Sequence, residues 1–233
     1  MVPVERRYFV NKLAQIGIII ALPFFLIISA IRILTSPQYL SFEYNKPAFP
    51  ADKYGFSMDE RREIAISSLK FVREPLPIEF LGNQTYAGQP LFNERELGHM
   101  TDVQNVFRGA WSGWGIATLI LFVSGVGLWI KPKTRSQLFQ AIEIGGAVTV
   151  LAIITVGTLA VIGWDSWFTA FHQLFFLPGS WLFSPADTLI RLFPIKFWFD
   201  SVLLISVLTL VGGFTATYTG YKLRIREVAQ VKD

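Results

Sequence analysis

LAQIGIIIALPFFLIISAIRIL, residues Leu13 to Leu34, decides the fold. Only Gln15, Ser29 and Arg32 interrupt its apolar character. At about 1.5 Å per residue in a helix, the run can cross a hydrocarbon core of about 30 Å. Arg6, Arg7 and Lys12 precede it, as in a signal peptide, but the run exceeds the usual ~7 to 15 apolar residues and no small-x-small cleavage site follows. It is therefore read as a first membrane span, with Arg32 laying its stem along the apolar surface and placing its head group at the far interface.

Gly109 to Ile130, Ala141 to Gly163 and Ser201 to Tyr221 are three further runs of membrane length. Composition agrees: the 233 residues are 52% hydrophobic and 15% aromatic, and the mean hydropathy is +0.44, too apolar for an ordinary soluble domain. The net charge of +4 does not imply a nucleic-acid partner, because the basic residues sit at the ends of apolar runs rather than on one soluble face. Without cysteine there is no disulfide framework, thiolate metal site or cysteine nucleophile.

Arg6, Arg7 and Lys12, then Lys131, Lys133 and Arg135, then Lys222, Arg224 and Arg226 all fall on one side of such a topology. The positive-inside rule makes that side cytoplasmic. The expectation is an all-α membrane protein, a single membrane domain over residues 1–233, with four transmembrane helices (13–34, 109–130, 141–163, 201–221) and both termini cytoplasmic. Residues 35–108 form a mixed outer segment between helices 1 and 2. Residues 164–200 form an aromatic segment between helices 3 and 4, interfacial or re-entrant.

In the first outer segment, Ser57 and Glu60 make a capping-box pattern ahead of Ile64, Ile66, Leu69 and Phe71, which predicts a short helix ended by Pro75 and Pro77. Pro37, Pro47 and Pro50 predict extended or turning chain before it, and Gly82, Gly88 and Pro90 loops or a small hairpin after it. The second outer segment carries Trp164, Trp167, Phe171, His172, Phe175, Trp181 and further aromatics. Tryptophan favours headgroup depth, so short helices lying at the outer leaflet are expected, broken at Pro178–Gly179 and at Pro185. The glycines of the second span, Gly109, Gly113, Gly125 and Gly127, predict close helix packing.

The chain has two histidines, His99 and His172, and this topology puts both at the outer membrane surface. His99 belongs to FNERELGHMTDV, Phe92 to Val103, where helical spacing sets Glu96 and His99 on one face with Asp102 beside them. Ionisable residues at membrane depth are costly unless something depends on them. No HExxH zinc motif, G-x-S-x-G elbow or phosphate-cradling glycine loop is present. A metal site drawn from His99, His172, Glu96, Asp102 and Asp187 stays open. Haem is disfavoured, since both histidines lie outside the spans. Arg95, Arg108 and Arg191 are suited to holding phosphate or polarising an ester carbonyl.

Two blocks, Phe92 to Val103 and Phe171 to Pro194 (FHQLFFLPGSWLFSPADTLIRLFP), resemble the lipoprotein intramolecular transacylase (Lit) family of bacterial integral membrane proteins. Tyr54 to Ser57 (YGFS) and the four-span plan support the likeness. The resemblance implies an acyltransferase that moves the sn-2 acyl chain of a diacylglyceryl-modified lipoprotein onto the α-amine of its N-terminal cysteine. It implies no cofactor or metal. Its partners would be the lipidated N-terminus of lipoproteins and membrane lipid, with no nucleic acid, and its place the bacterial cytoplasmic membrane with an extracytoplasmic active site. By residue matching, His99 and His172 become catalytic, His99 as base in roles that can exchange. Asn93, Glu94, Glu96, Asp102 and Asp187 become orienting or charge-stabilising neighbours, and Arg95 or Arg191 an aid to the oxyanion. A carboxylate such as Glu96 or Asp102 would fix the tautomer of the base. The alternatives are a metal-dependent lipid or peptide hydrolase at the same site and a non-catalytic accessory subunit of a membrane complex.

Overall fold

The computed structural model describes residues 4–230. Four long helices carry the apolar runs: α1 (Val4–Leu34), α5 (Glu94–Trp129), α6 (Pro132–Ile162) and α9 (Ile195–Gln230). Between them lie α2 (Pro37–Tyr44), α3 (Met58–Arg73), α4 (Glu79–Gly82), a two-stranded hairpin of β1 (Thr85–Tyr86) and β2 (Gln89–Pro90), α7 (Trp164–Phe175) and α8 (Thr188–Leu192). A backbone that must satisfy its own polar groups in lipid does so as helix, which is why each apolar run is helical but for a last residue, Ile130 or Gly163, in two of them. The helices are longer than the spans read from hydropathy. At about 1.5 Å per residue the 36 residues of α5 reach about 54 Å, well beyond a hydrocarbon core of about 30 Å. FNERELGHMTDV is thus the opening of the helix whose apolar span begins at Gly109.

The chain divides into two compact units. One comprises Met1–Ala30, Trp111–Thr158 and Ile205–Asp233. In it α6 and α9 approach closely: a Cβ built on Gly146 would fall 2.6 Å from Thr217 N and 2.7 Å from Gly213 O, and one on Gly220 2.6 Å from Glu143 N. Arg224 of α9 closes the same pair by a two-pronged bond to Glu143, at 2.7 and 3.2 Å. The glycines expected to pack closely, Gly109, Gly113, Gly125 and Gly127, do not: a Cβ on any of them meets nothing within 4 Å. Glycine alone does not bring helices together, and the α5 positions that lack a Cβ have no neighbour pressed against them.

The other unit comprises Ile31–Ala110 and Leu159–Leu204. Pro37, read as a mark of extended chain, instead opens α2. Proline is tolerated at the first helical positions, and the Ser36 hydroxyl caps the helix by accepting from Tyr39 N. α3 begins with the expected capping box of Ser57 and Glu60 and ends before Pro75. Its end and the turn that follows are met by buried Gln104 of α5, whose Nε2 donates to Phe71 O, Glu74 O and Leu76 O at 2.8 to 3.1 Å. The hairpin turns on Ala87 (φ 49) and Gly88 (φ 76), two positive-φ residues, as a two-residue type I′ turn requires.

The core of this unit holds an arginine. Arg61 is 2% exposed. It lies over the rings of Tyr44 and Phe49 at 5.6 and 5.2 Å. It donates to Pro50 O and Arg191 O, so a guanidinium fork serves as main-chain fastener between α3 and the end of α8.

Candidate active site

His99 sits on the second turn of α5, and its position depends on how that helix begins. Asn93 and Glu96 form a reciprocal cap: Asn93 Oδ1 accepts from Glu96 N at 3.0 Å, and Glu96 Oε2 from Asn93 N at 2.9 Å. Glu96 is 1% exposed. Its other oxygen accepts from Leu189 N at 2.7 Å, in the first turn of α8. Glu96 therefore orients two helix starts and not the imidazole, in contrast to the expectation for it. The Asp102 and Glu94 side chains make no hydrogen bond among the described residues.

Asp187 precedes α8 and gathers three donors. Asn93 Nδ2 reaches it at 3.2 Å, Arg95 at 3.1 Å and Ser184 N at 2.7 Å. With the Thr188 hydroxyl on Leu91 O, these bonds fix the far end of the loop from Phe176 to Asp187 against the start of α5.

His172 lies in α7, and a main-chain atom fixes its ring: Nδ1 is 2.8 Å from Phe168 O one turn earlier. A carbonyl only accepts, so Nδ1 carries the proton and Nε2 presents its lone pair. The two imidazoles are stacked, with centroids 6.3 Å apart and planes 21° from parallel. Aromatic rings enclose them. Phe176 and Phe183 approach His99 at 4.7 and 5.4 Å. Phe168, Trp181 and Phe176 approach His172 at 4.0, 4.8 and 5.5 Å.

This enclosure sets the charge. His99 lies ten residues ahead of the apolar span at Gly109, and burial, helped by repulsion from His172, lowers its pKa to about 4. Burial also lowers that of His172, with the Phe168 carbonyl opposing. Both rings are neutral at physiological pH, as a base needs to be. Two polar atoms in the box are buried without a hydrogen-bond partner, His99 Nδ1 and Trp181 Nε1.

Of the arginines singled out in sequence, Arg95 is half-exposed, paired with Asp187 and 5.5 Å over the Phe183 ring that borders His99. Arg191 is committed elsewhere. It meets Asp52 by two bonds of 3.1 and 2.9 Å and lies 3.4 Å over the Phe56 ring. Asp52, Phe176, Trp181 and Phe183 carried no individual role in the sequence reading. Among the described residues, no three His, Asp or Glu side chains converge in a way that could hold a metal ion.

Four membrane-length helices define a multi-pass membrane protein, and two imidazoles lie together in an aromatic box. The model of the family "Lipoprotein intramolecular transacylase Lit" matches residues 16–198. The chain belongs to that family, which places it among membrane acyltransferases of lipoprotein modification. A relative from Aquifex aeolicus (strain VF5), described as an uncharacterized protein, is 28% identical over 211 residues, covering 90% of this chain and 94% of its own. The fold is shared with the membrane integral lipoprotein intramolecular transacylase Lit of Bacillus cereus, at TM-score 0.68 and 16% identity over 95% of this chain and 99% of that one. A histidine-to-alanine variant of the same Bacillus protein gives TM-score 0.73 at 18% identity, over 98% of each chain.

Proposed function

We propose that the protein transfers the sn-2 acyl chain of a diacylglyceryl-modified lipoprotein to the α-amine of the same molecule's N-terminal cysteine, leaving a lyso-lipoprotein. The observation that carries this reading is the pairing of His99 and His172, far apart in sequence, at 6.3 Å. Donor ester and acceptor amine belong to one substrate, so holding its headgroup in an attacking geometry supplies much of the acceleration. Intramolecular approach of this kind reaches effective molarities of about 10⁵ M or more.

The geometry favours His172 as base, because its tautomer is fixed with Nε2 free. The amine nitrogen bonds to the ester carbonyl carbon and the carbonyl π pair moves onto oxygen. His172 takes the proton that the amine gives up. When the pair returns, the bond to the glyceryl oxygen breaks, and the proton passes to that oxygen. His99, neutral and stacked alongside, offers an N–H to the charge that develops on the carbonyl oxygen. No protein nucleophile takes part.

The site is assigned to the extracytoplasmic face with both termini cytoplasmic, on the strength of the basic residues at the opposite helix ends. The segment of α7 and the loop after it is assigned to the outer leaflet. Leu174, Leu177 and Leu182, which flank the imidazole box in sequence, are 75%, 74% and 58% exposed, as side chains meeting acyl chains would be.

The test is mass spectrometry of a diacylglyceryl lipopeptide incubated with purified protein in lipid. Wild type is expected to give the N-acyl lyso product, and His99→Ala and His172→Ala to give none while remaining inserted. Normal product from either variant overturns the assignment.

A further inference from the structure

The Trp181 Nε1–H in the imidazole box is buried and has no acceptor. An indole nitrogen can only donate. A buried donor without an acceptor is disfavoured, and one found at a functional site calls for an acceptor that arrives with a ligand. The Trp181 ring is 4.8 Å from His172 and 6.3 Å from Phe168. It is carried on a shaped loop: Gly179 supplies the positive φ of 83° that the turn needs, and Leu182 N donates back to Gly179 O at 3.3 Å.

The charge to be met is the one forming on the ester carbonyl oxygen. Apart from the His99 N–H already assigned to that oxygen, the other side-chain donors considered are engaged. His172 Nδ1 is used by Phe168 O, the Arg191 fork by Asp52, and Arg95 is turned to Asp187. The indole N–H is a preformed donor beside the imidazole proposed as base, and it carries no charge that would suppress that base.

We propose that Trp181 is a catalytic residue whose Nε1–H hydrogen bonds to the ester carbonyl oxygen as negative charge collects there. This rests on the acyl-transfer reading above and adds a donor to it. The indole keeps its proton throughout: the carbonyl pair moves to oxygen as the N–C bond forms and returns as the C–O bond breaks, and only the bond from Nε1–H to that oxygen strengthens and relaxes.

The experiment compares two changes at this position, Trp181→Phe and replacement by benzothienylalanine, in which sulfur stands in place of the N–H on a ring of nearly the same shape. Rates are taken per inserted, monodisperse protein with the diacylglyceryl lipopeptide. Loss of one such donor costs about 100-fold or more in kcat. That loss is expected in both proteins, with KM within about threefold and the pH profile unmoved. Wild-type kcat in the benzothienylalanine protein overturns the inference, even if Trp181→Phe is slow, since packing alone would then explain the residue. A loss confined to KM overturns it as well. The underlying reading fails separately, if wild type yields no lyso product at all.

Discussion

Glu96 Oε1 accepts the Leu189 N–H at 2.7 Å, across 93 positions of sequence, while its Oε2 closes the cap of its own helix at Asn93. One buried carboxylate thus sets both the start of the helix that carries His99 and the end of the loop that carries Trp181 and Phe183. Glu96→Gln presents an amide NH₂ to one of two buried N–H donors. The expected cost is about 1–3 kcal/mol, seen as a thermal midpoint several degrees lower in detergent. An unchanged midpoint would mean that these two bonds do not hold the site.

The pH dependence follows from which form of each group reacts. His172 acts unprotonated, and burial holds it below the ordinary imidazole value of about 6.5. Lowering the pKa of a base extends its working range towards acid, so its limb in kcat/KM should bend below about pH 6.5. The substrate's α-amine, near 8 when free, adds a second bend above it. Rate therefore rises with pH through two inflections and then levels. A fall above the second would reveal a required acid that this mechanism does not contain.

The pair of Arg191 and Asp52 should appear in stability. Burial pushes the Asp52 carboxyl up, but the Arg191 bonds and the N–H groups of Phe56 and Tyr54 outweigh it, and the net shift is down. A carboxylate lowered on folding contributes stability above its unfolded pKa, near 3.9, and loses it as pH falls through the folded value. The wild type should lose this contribution only below about pH 4, and Asp52→Asn should lack that acid-side slope. Asp52→Ala leaves the guanidinium, 12% exposed, without its partner. The expected cost at neutral pH is on the order of 3 kcal/mol, measured by denaturation in detergent.

Helix packing separates two kinds of glycine. Gly146→Ala and Gly220→Ala each drive a methyl into backbone atoms 2.6 Å away. Both should lower the yield of monodisperse protein and its thermal midpoint. Gly127→Ala meets nothing and should behave as wild type. Equal behaviour of the three would show that α6 and α9 do not approach as described.

The spans were legible because hydropathy reports directly on what a lipid core demands. Their ends were not, since α5 continues through fifteen residues ahead of Gly109 whose polarity says nothing of where a helix starts. The start itself was written in Asn93-x-x-Glu96, a capping pattern eclipsed by the charge of the same residues and by the nearby histidine. α2 is hidden in the sequence because Pro37 fits extended or turning chain as well as it fits the first turn of a helix. Arg191 could be singled out as a cation but not assigned, because Asp52 lies 139 positions away and no local pattern joins them. Trp181 is one of seven tryptophans in the sequence, and what sets it apart, a buried indole N–H without an acceptor, exists only in the folded chain.

The atom that turns the His172 ring is a main-chain carbonyl, that of Phe168. Every amino acid supplies such a carbonyl, so no substitution that leaves α7 helical can delete it. A histidine held by an aspartate can lose its orientation through one codon change. Here the ring's orientation is inherited with the helix itself.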